Sequence, residues 1–284
     1  MLDTVTLLLG DCAEKLKEIP DASIDLVVTS PPYDNLRQYK GYSFEFEKIA
    51  DELARVIKTG GVIVWIIVDE TIKGTKTGTS FKHALYFQSI GLGIHDTMIW
   101  NKLAFSAVGA LQTRYAPVFE FMFILSKQKP KTFNPIKDRK NKYGGISRKT
   151  NVHKRVDGTT FRTPLANKNG IITIAEYGQR FNIWEIPADT QTSKLGHPAP
   201  FPLQLAKDHI ISWSNEGDVV LDPFLGSGTT GVAAVELNRK FIGIEIAPEY
   251  IDIAKQRIEK TKLRQLEQPI EINEIVYEEI DWLS

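Results

Sequence analysis

The sequence predicts an α/β fold organised on a mostly parallel sheet, and three observations lead there. Short apolar runs alternate along the chain with stretches of helical period, the pattern of successive βαβ units. One such run, Val219-Val220-Leu221, passes through Asp222-Pro223 into a glycine turn and then a helical stretch. The chain has 284 residues, 42% of them hydrophobic and 25% charged. That is enough for one large domain with its own core, or for one carrying a smaller insertion.

From the N-terminus, Val5–Leu9 and Ile24–Thr29 are the first candidate strands, the second leading straight into Ser30-Pro31-Pro32-Tyr33. Phe46–Ile57 has helical spacing and is followed by Gly60-Gly61, which reads as its C-cap. Val62–Val68, His95–Trp100 and Val118–Leu125 are the next strands. Lys127–Leu195 then breaks the pattern. It is polar, rich in Gly, Asn, Thr and Lys, and its apolar residues keep no period, so it predicts an insertion of loops and short strands and not a continuation of the sheet. The alternation resumes with a helix over Phe201–Ser212, a strand over Val219–Leu221, a helix over Thr229–Leu237, a strand over Phe241–Ile244 and a helix over Pro248–Lys260 that extends into the charged tail.

Composition excludes several classes. A lone cysteine, Cys12, rules out a disulfide framework and a cysteine-rich zinc site. The five histidines have no ligand spacing, so no metal is expected. No apolar run reaches the roughly 20 residues of a membrane span, and the start of the chain has no basic-then-apolar signal, so a cytoplasmic protein is expected. Formal net charge is zero, with 35 basic and 35 acidic residues, but the distribution is uneven. From Lys127 to Lys168 there are 13 Lys and Arg against Asp138 and Asp157, a segment charge of +11 that leaves −11 on the rest. Local fields attract phosphates whatever the total. Lys137, Arg139, Lys140, Lys142, Arg148, Lys149, Lys154, Arg155 and Arg162 are therefore candidate contacts to a nucleic-acid backbone, the alternative being a solvated face.

Two motifs carry chemistry. Asp222-Pro223-Phe224-Leu225-Gly226-Ser227-Gly228-Thr229-Thr230-Gly231 runs from strand to glycine turn to helix. Glycines there admit positive φ and close ligand approach, and a helix start offers unpaired N–H groups. Glu245 closes the next strand, where a carboxylate can accept from ribose hydroxyls. The glycines also fit a nicotinamide dinucleotide site or a purely structural turn. Asp222 favours a cationic ligand such as the aminoacyl end of S-adenosylmethionine, because a carboxylate sits poorly beside a pyrophosphate. In the second motif, Pro31 and Pro32 remove two N–H donors at a strand's carboxyl end and leave rigid carbonyls. Ser30 adds an acceptor and Tyr33 a ring, which together suit a planar heterocycle held by its amino group.

These motifs resemble those of the amino-methyltransferases of bacterial restriction–modification systems, which modify cytosine N4 or adenine N6. In that family an Asp/Asn/Ser-Pro-Pro-Tyr/Phe motif holds the target amino group, matched here by Ser30-Pro31-Pro32-Tyr33. An Asp-Pro-Phe-x-Gly-Ser-Gly-Thr-Thr motif binds the cofactor, matched by Asp222, Pro223, Phe224, Gly226, Ser227, Gly228, Thr229 and Thr230, with Glu245 at the ribose. Asn182–Pro187 and His197–Pro202, with Pro198 and Phe201, resemble the family's approach to the cofactor; Asp11 and Cys12 resemble the turn near its adenine. The base motif precedes the cofactor motif with a basic region between them, the order of the β class.

The resemblance implies a circularly permuted, Rossmann-like methyltransferase fold with a mostly parallel seven-stranded sheet. Residues 1–126 and 196–284 would form the catalytic domain and 127–195 an inserted target-recognition region. Val5–Leu9 and Ile24–Thr29 would pair on either side of the Val219–Leu221 half. It implies S-adenosylmethionine as cofactor, double-stranded DNA as partner, base flipping, and direct transfer. Ser30 in the first motif position is more similar to the N4-cytosine branch, with N6-adenine the alternative. A cognate endonuclease acting on the same site and a homodimer are compatible with the resemblance. An RNA or protein amino-methyltransferase, a silent DNA-binding subunit and a nicotinamide enzyme are the competing classes. C5-cytosine methylation would need a nucleophilic thiolate, and Cys12 falls away from Ser30.

Overall fold

In the computed structural model, residues 5–32, 44–104, 113–148, 150–164, 172–188 and 201–267 are described. Strands β1 (Val5–Leu9), β2 (Ile24–Thr29) and β3 (Ile57–Ile67) precede a small hairpin of β4 (Thr71–Ile72) and β5 (Thr75–Lys76), then the long strands β6 (Gly93–Asn101) and β7 (Phe119–Ser126). Short strands β8 (Arg139–Lys140), β9 (Ser147–Arg148), β10 (Thr150–Lys154), β11 (Thr160–Pro164), β12 (Ile172–Thr173) and β13 (Tyr177–Gly178) follow. The chain continues through β14 (Ile183–Glu185), β15 (Val219–Asp222) and β16 (Lys240–Glu245). The helices are α1 (Cys12–Lys15), α2 (Phe46–Val56), α3 (Thr79–Ser89), α4 (Leu203–Trp213), α5 (Thr229–Glu236) and α6 (Pro248–Glu267).

One sheet has the order β1-β16-β15-β2-β3-β7-β6-β14. Only β7 runs antiparallel, to both β3 and β6. As expected, β1 and β2 pair on either side of the β15–β16 half. The strands read as near-continuous apolar runs because both faces of the sheet are covered. Leu26, Val28, Val64, Ile124, Val220 and Phe241 pack with α4, α5 and α6 on one face. Val27, Ile63, Trp65, Leu125, Leu221 and Ile244 pack with α1, α2 and α3 on the other. No helix among the described residues is long and apolar enough to cross a membrane.

Three expectations need correction. Among the described residues the sheet has eight strands, not seven, and the extra one, β14, comes from the stretch assigned wholly to an insertion. Trp184 is buried there, stacked on His209 with centroids 4.5 Å apart, and Trp100 Nε1 donates to the Ile186 carbonyl at 2.7 Å. Three residues are too few to show a period. Gly60-Gly61 does not cap α2, whose last turn closes at Ile57, already extended at φ −70° and ψ 135°. The glycines lie inside β3 at an irregularity in its pairing with β2. Gly60 has φ +79° there, and a side chain on it would run into Lys131. Helix α3 has no counterpart among the expected elements. Its buried face is Ser80, His83, Ala84 and Phe87, so polar residues hold two of four core positions and mask the period.

Candidate functional site

Four parallel strands, β1, β16, β15 and β2, end at one edge of the sheet. At or just past those ends stand Asp11, Glu245, Asp222 and Ser30. With about 4.8 Å between neighbouring strands, the row spans roughly 14 Å. Ligands in open α/β sheets bind at this carboxyl edge. Residues scattered from 11 to 245 in sequence are thus gathered by topology.

The glycine turn after β15 is held from both sides. Leu225 N donates to the Ile244 carbonyl at 2.9 Å, and Gly226 N donates to Glu245 Oε2 at 2.8 Å. Gly228 caps α5 at φ +84°, where an added Cβ would lie 2.9 Å from the Ala254 Cα. Gly228→Ala is therefore expected to lower stability by about 2 kcal/mol, combining a strained φ with a backbone clash. Urea unfolding of parent and variant checks this, and an unchanged midpoint would contradict it. Gly231 serves packing, since a Cβ there would meet Ile258 and Phe241 side chains at 2.5 and 2.7 Å.

Glu245 is buried, and burial raises its carboxyl pKa. Oε1 accepts from Ile246 N and Ala247 N, each at 3.0 Å, in addition to the Gly226 contact on Oε2. A carboxylate has about four acceptor sites, so capacity for a further donor remains. Asp11 caps α1 by accepting from Ala13 N at 2.8 Å, and Gly10 N donates to the Glu245 carbonyl at 2.9 Å, which joins the two strand ends. Burial, and after it the Asp11 charge, pushes the Cys12 thiol up to about 12. It stays a thiol at neutral pH and is no nucleophile.

Asp222 faces inward. Oδ1 accepts from Thr29 Oγ1 at 2.6 Å and Phe224 N at 3.1 Å, and Oδ2 accepts from Thr230 Oγ1 at 2.7 Å. Its exposure is 2%, and burial raises its pKa to about 6 against the pull of those three donors. The carboxyl that the sequence suggested for a cationic ligand is thus a clasp between the end of β2 and the start of α5. Ser30 is half-buried directly after Thr29; Pro31 is buried and Pro32 half-buried. Pro223, Ser227 and Thr229 are buried in the turn. Phe201 is half-buried before α4 and packs on the core. Tyr33 and Pro198 lie outside the described residues.

Two groups beside the turn escaped the sequence reading. Arg257 of α6 donates through Nη1 to the Ser227 carbonyl and to Ser227 Oγ at 3.0 Å, placing a cation at the start of α5. Phe224 packs edge-on against Phe44 and Trp65, and Trp65 Nε1 donates to His83 Nδ1 at 3.3 Å. His83 in turn stacks on Phe46 with centroids 3.6 Å apart. Nothing in the linear sequence joins Arg257 to Ser227; the aromatic support depends on α3, which the sequence did not reveal.

Of the basic candidates, Lys137, Lys140, Lys142, Lys154 and Arg155 are exposed. Arg139 is half-buried, donating to the Gln179 carbonyl at 2.9 Å with its guanidinium over the Phe181 ring. Arg148 and Arg162 are placed by their strands alone, and Lys149 lies outside the described residues. Asp138, one of the two acids in the basic stretch, is held by Arg180, which also bonds Asp208 at 2.6 Å.

A family model described as DNA methylase, covering amino-methyltransferases of the N6 and N4 type, matches residues 24–256. The orphan methyltransferase M.BamHII of Bacillus amyloliquefaciens is 52% identical over 248 residues, covering 85% of this chain and 91% of that protein. The type II methyltransferase M.HinfI of Haemophilus influenzae is 30% identical over 287 residues, covering 90% of this chain and 69% of its own. Among solved structures, the cytosine-N4-specific PvuII DNA methyltransferase superposes with a TM-score of 0.63 at 21% identity, covering 93% of this chain and 94% of that one.

Proposed function

The chain belongs to the bacterial N6/N4 DNA amino-methyltransferase family, and from that premise we propose that it transfers a methyl group from S-adenosylmethionine to cytosine N4 in duplex DNA. The observation that carries the reading is the common edge, where Thr29, directly before Ser30, and Thr230, at the start of the helix after the glycine turn, are tied to the same carboxyl, Asp222. Ser30 at the head of the Pro-Pro motif supports N4 as the acceptor.

The residues fit the cofactor. Glu245 keeps acceptor capacity for a ribose hydroxyl, Asp11 lies one strand further along, and the start of α5 with Arg257 beside it suits a carboxylate. When bound, S-adenosylmethionine supplies the electrophilic methyl carbon. Ser30 Oγ and the Pro31 carbonyl accept the hydrogens of the base amino group. Its lone pair is then less drawn into the ring and more available for attack, and the nitrogen releases one proton as it gains the methyl group. Tyr33 stacks the ring and sets the line of approach. Positioning and electrostatics therefore account for the rate, with no covalent bond to the protein. A stacked base cannot reach this edge, so the nucleotide flips out at a cost of roughly a few kcal/mol, which phosphate contacts from the basic region 127–195 offset.

The test is incubation of the protein with labelled S-adenosylmethionine and unmethylated DNA, followed by nucleoside mass spectrometry. N4-methylcytosine is expected. N6-methyladenine would move the acceptor, and unmodified DNA would end the reading.

A further inference from the structure

The ribbon of β10 and β11 has no part in the site at the sheet edge. His153 stands opposite Phe161 and Lys154 opposite Thr160 in an antiparallel pair. Every residue from Val152 to Phe161 is exposed, so over that length neither face of the ribbon is buried on the body. A lone two-stranded ribbon is marginally stable in water. Wet on both faces, it lacks the stabilisation a structural hairpin would draw from packing, which points to a docking element.

Its turn is rigid. Arg155 N donates to the Thr159 carbonyl at 2.7 Å, Gly158 N donates to the Arg155 carbonyl at 3.0 Å, and Gly158 has φ +86°. Asp157, the ribbon's one acid, accepts through Oδ1 from Thr159 N at 2.9 Å and Thr159 Oγ1 at 2.7 Å, contacts that lower its pKa. The acid is thus engaged within the turn by Thr159, beside the exposed Lys154 and Arg155. The Arg155 guanidinium lies 5.0 Å over the Phe161 ring, which is itself stacked on His153. Lys154 belongs to the opposite face, by the alternation of a strand. Val156, at the apex, is fully exposed.

We infer that this ribbon enters the major groove of the substrate duplex, with Arg155 and Val156 meeting base edges at the tip and Lys154 holding a phosphate. The inference rests on the reading of the chain as a DNA methyltransferase. Strands of five residues are about 17 Å long and about 4.8 Å apart. The major groove is roughly 12 Å wide and admits such a ribbon. A guanidinium pairs with guanine O6 and N7, and a small apolar side chain packs on a thymine methyl. The Phe161 ring under Arg155 restrains the guanidinium before DNA arrives. Lys154, Arg155 and Arg162 against the single acid Asp157 leave the ribbon with a net charge of +2, which complements a polyanion.

The experiment uses full-length Lys154→Ala, Arg155→Ala and Val156→Ser beside the parent, with unmethylated genomic DNA as substrate. Three things are measured: KM for DNA, the sequence around the methylated positions, and S-adenosylmethionine binding without DNA. Parental cofactor binding is expected in all three. Arg155→Ala should raise KM roughly tenfold and relax one position of the methylated sequence. Val156→Ser should relax a neighbouring position. Lys154→Ala should raise KM without altering the sequence and should shallow the salt dependence by about one unit of slope. Parental KM and sequence in both tip variants would overturn the inference, and so would loss of cofactor binding, which would make the ribbon part of the catalytic body. If the parent itself transfers nothing to DNA, the functional reading fails first, and the unsubstituted control reveals it.

Discussion

Ser30→Ala is expected to lower methyl-transfer turnover by about a hundredfold while leaving S-adenosylmethionine affinity within about twofold of the parent. The magnitude is that of removing one pre-aimed hydrogen-bonding group where charge shifts in the transition state. The selectivity follows from the anchoring. Ser30 succeeds Thr29, whose hydroxyl is bonded to Asp222, and Thr29 is register-paired with the buried Trp65. Both of these contacts are independent of the Ser30 side chain, so the strand end and the glycine turn keep them when Oγ is removed. Single-turnover rates with saturating cofactor, set beside calorimetric cofactor binding, separate the two quantities. A loss of affinity as large as the loss of rate would refute Ser30 as an acceptor for the base.

The second large effect belongs to Asp222. Asp222→Ala would leave the Thr29 and Thr230 hydroxyls and the Phe224 N–H facing a buried gap, at a cost of about 3 kcal/mol. Cofactor affinity is expected to fall with it as the turn loosens. Asp222→Asn keeps the shape: its oxygen serves Thr29 and Phe224, while its amide donates to Thr230 Oγ1, which already lies 3.3 Å from the Val28 carbonyl as its own acceptor.

The pH response distinguishes charge from shape. Burial raises the Asp222 pKa from 3.8 to about 6, so between those values the folded chain holds a proton that the unfolded chain has lost. The group's contribution is most favourable below pH 3.8 and declines as pH rises to 6, by about 2 kcal/mol between pH 4.5 and 7.5. The stability difference between parent and Asp222→Asn, from urea unfolding at those two pH values, should move by that amount in favour of the Asn variant at the higher pH. A constant difference would mean that the carboxyl is not buried as described. Retained cofactor affinity in Asp222→Asn is expected; a loss equal to that of Asp222→Ala would restore the direct ionic role.

Most of the sheet was legible because its strands are buried on both faces and read as unbroken apolar runs; Val5–Leu9 and Ile24–Thr29 match to the residue. What escaped had physical reasons. β14 is too short for any period, α3 places Ser80 and His83 in the core, and the Gly60-Gly61 pair serves a strand irregularity as readily as a helix end. At the site, Ser30, Asp222, Gly228 and Glu245 were visible as motifs, and their strand order followed from the resemblance. The inward turn of Asp222 was not visible, because its partners Thr29 and Thr230 are ordinary threonines until the fold brings them together. Arg257 was hidden for the same reason.

The Thr29–Asp222 contact joins residues 193 positions apart. The site thus cannot form in a fragment or early in folding, since it awaits closure of a very long loop before its first bond repays the ordering. That same length makes the loop's content a weak influence. Closure entropy grows only logarithmically, so even doubling the intervening chain would cost about 0.6 kcal/mol. Segments carrying other ribbons could be exchanged between β7 and β14 with little effect on the assembly of the reacting groups. One unchanged chemistry could then be addressed to different DNA sequences by recombination of its middle.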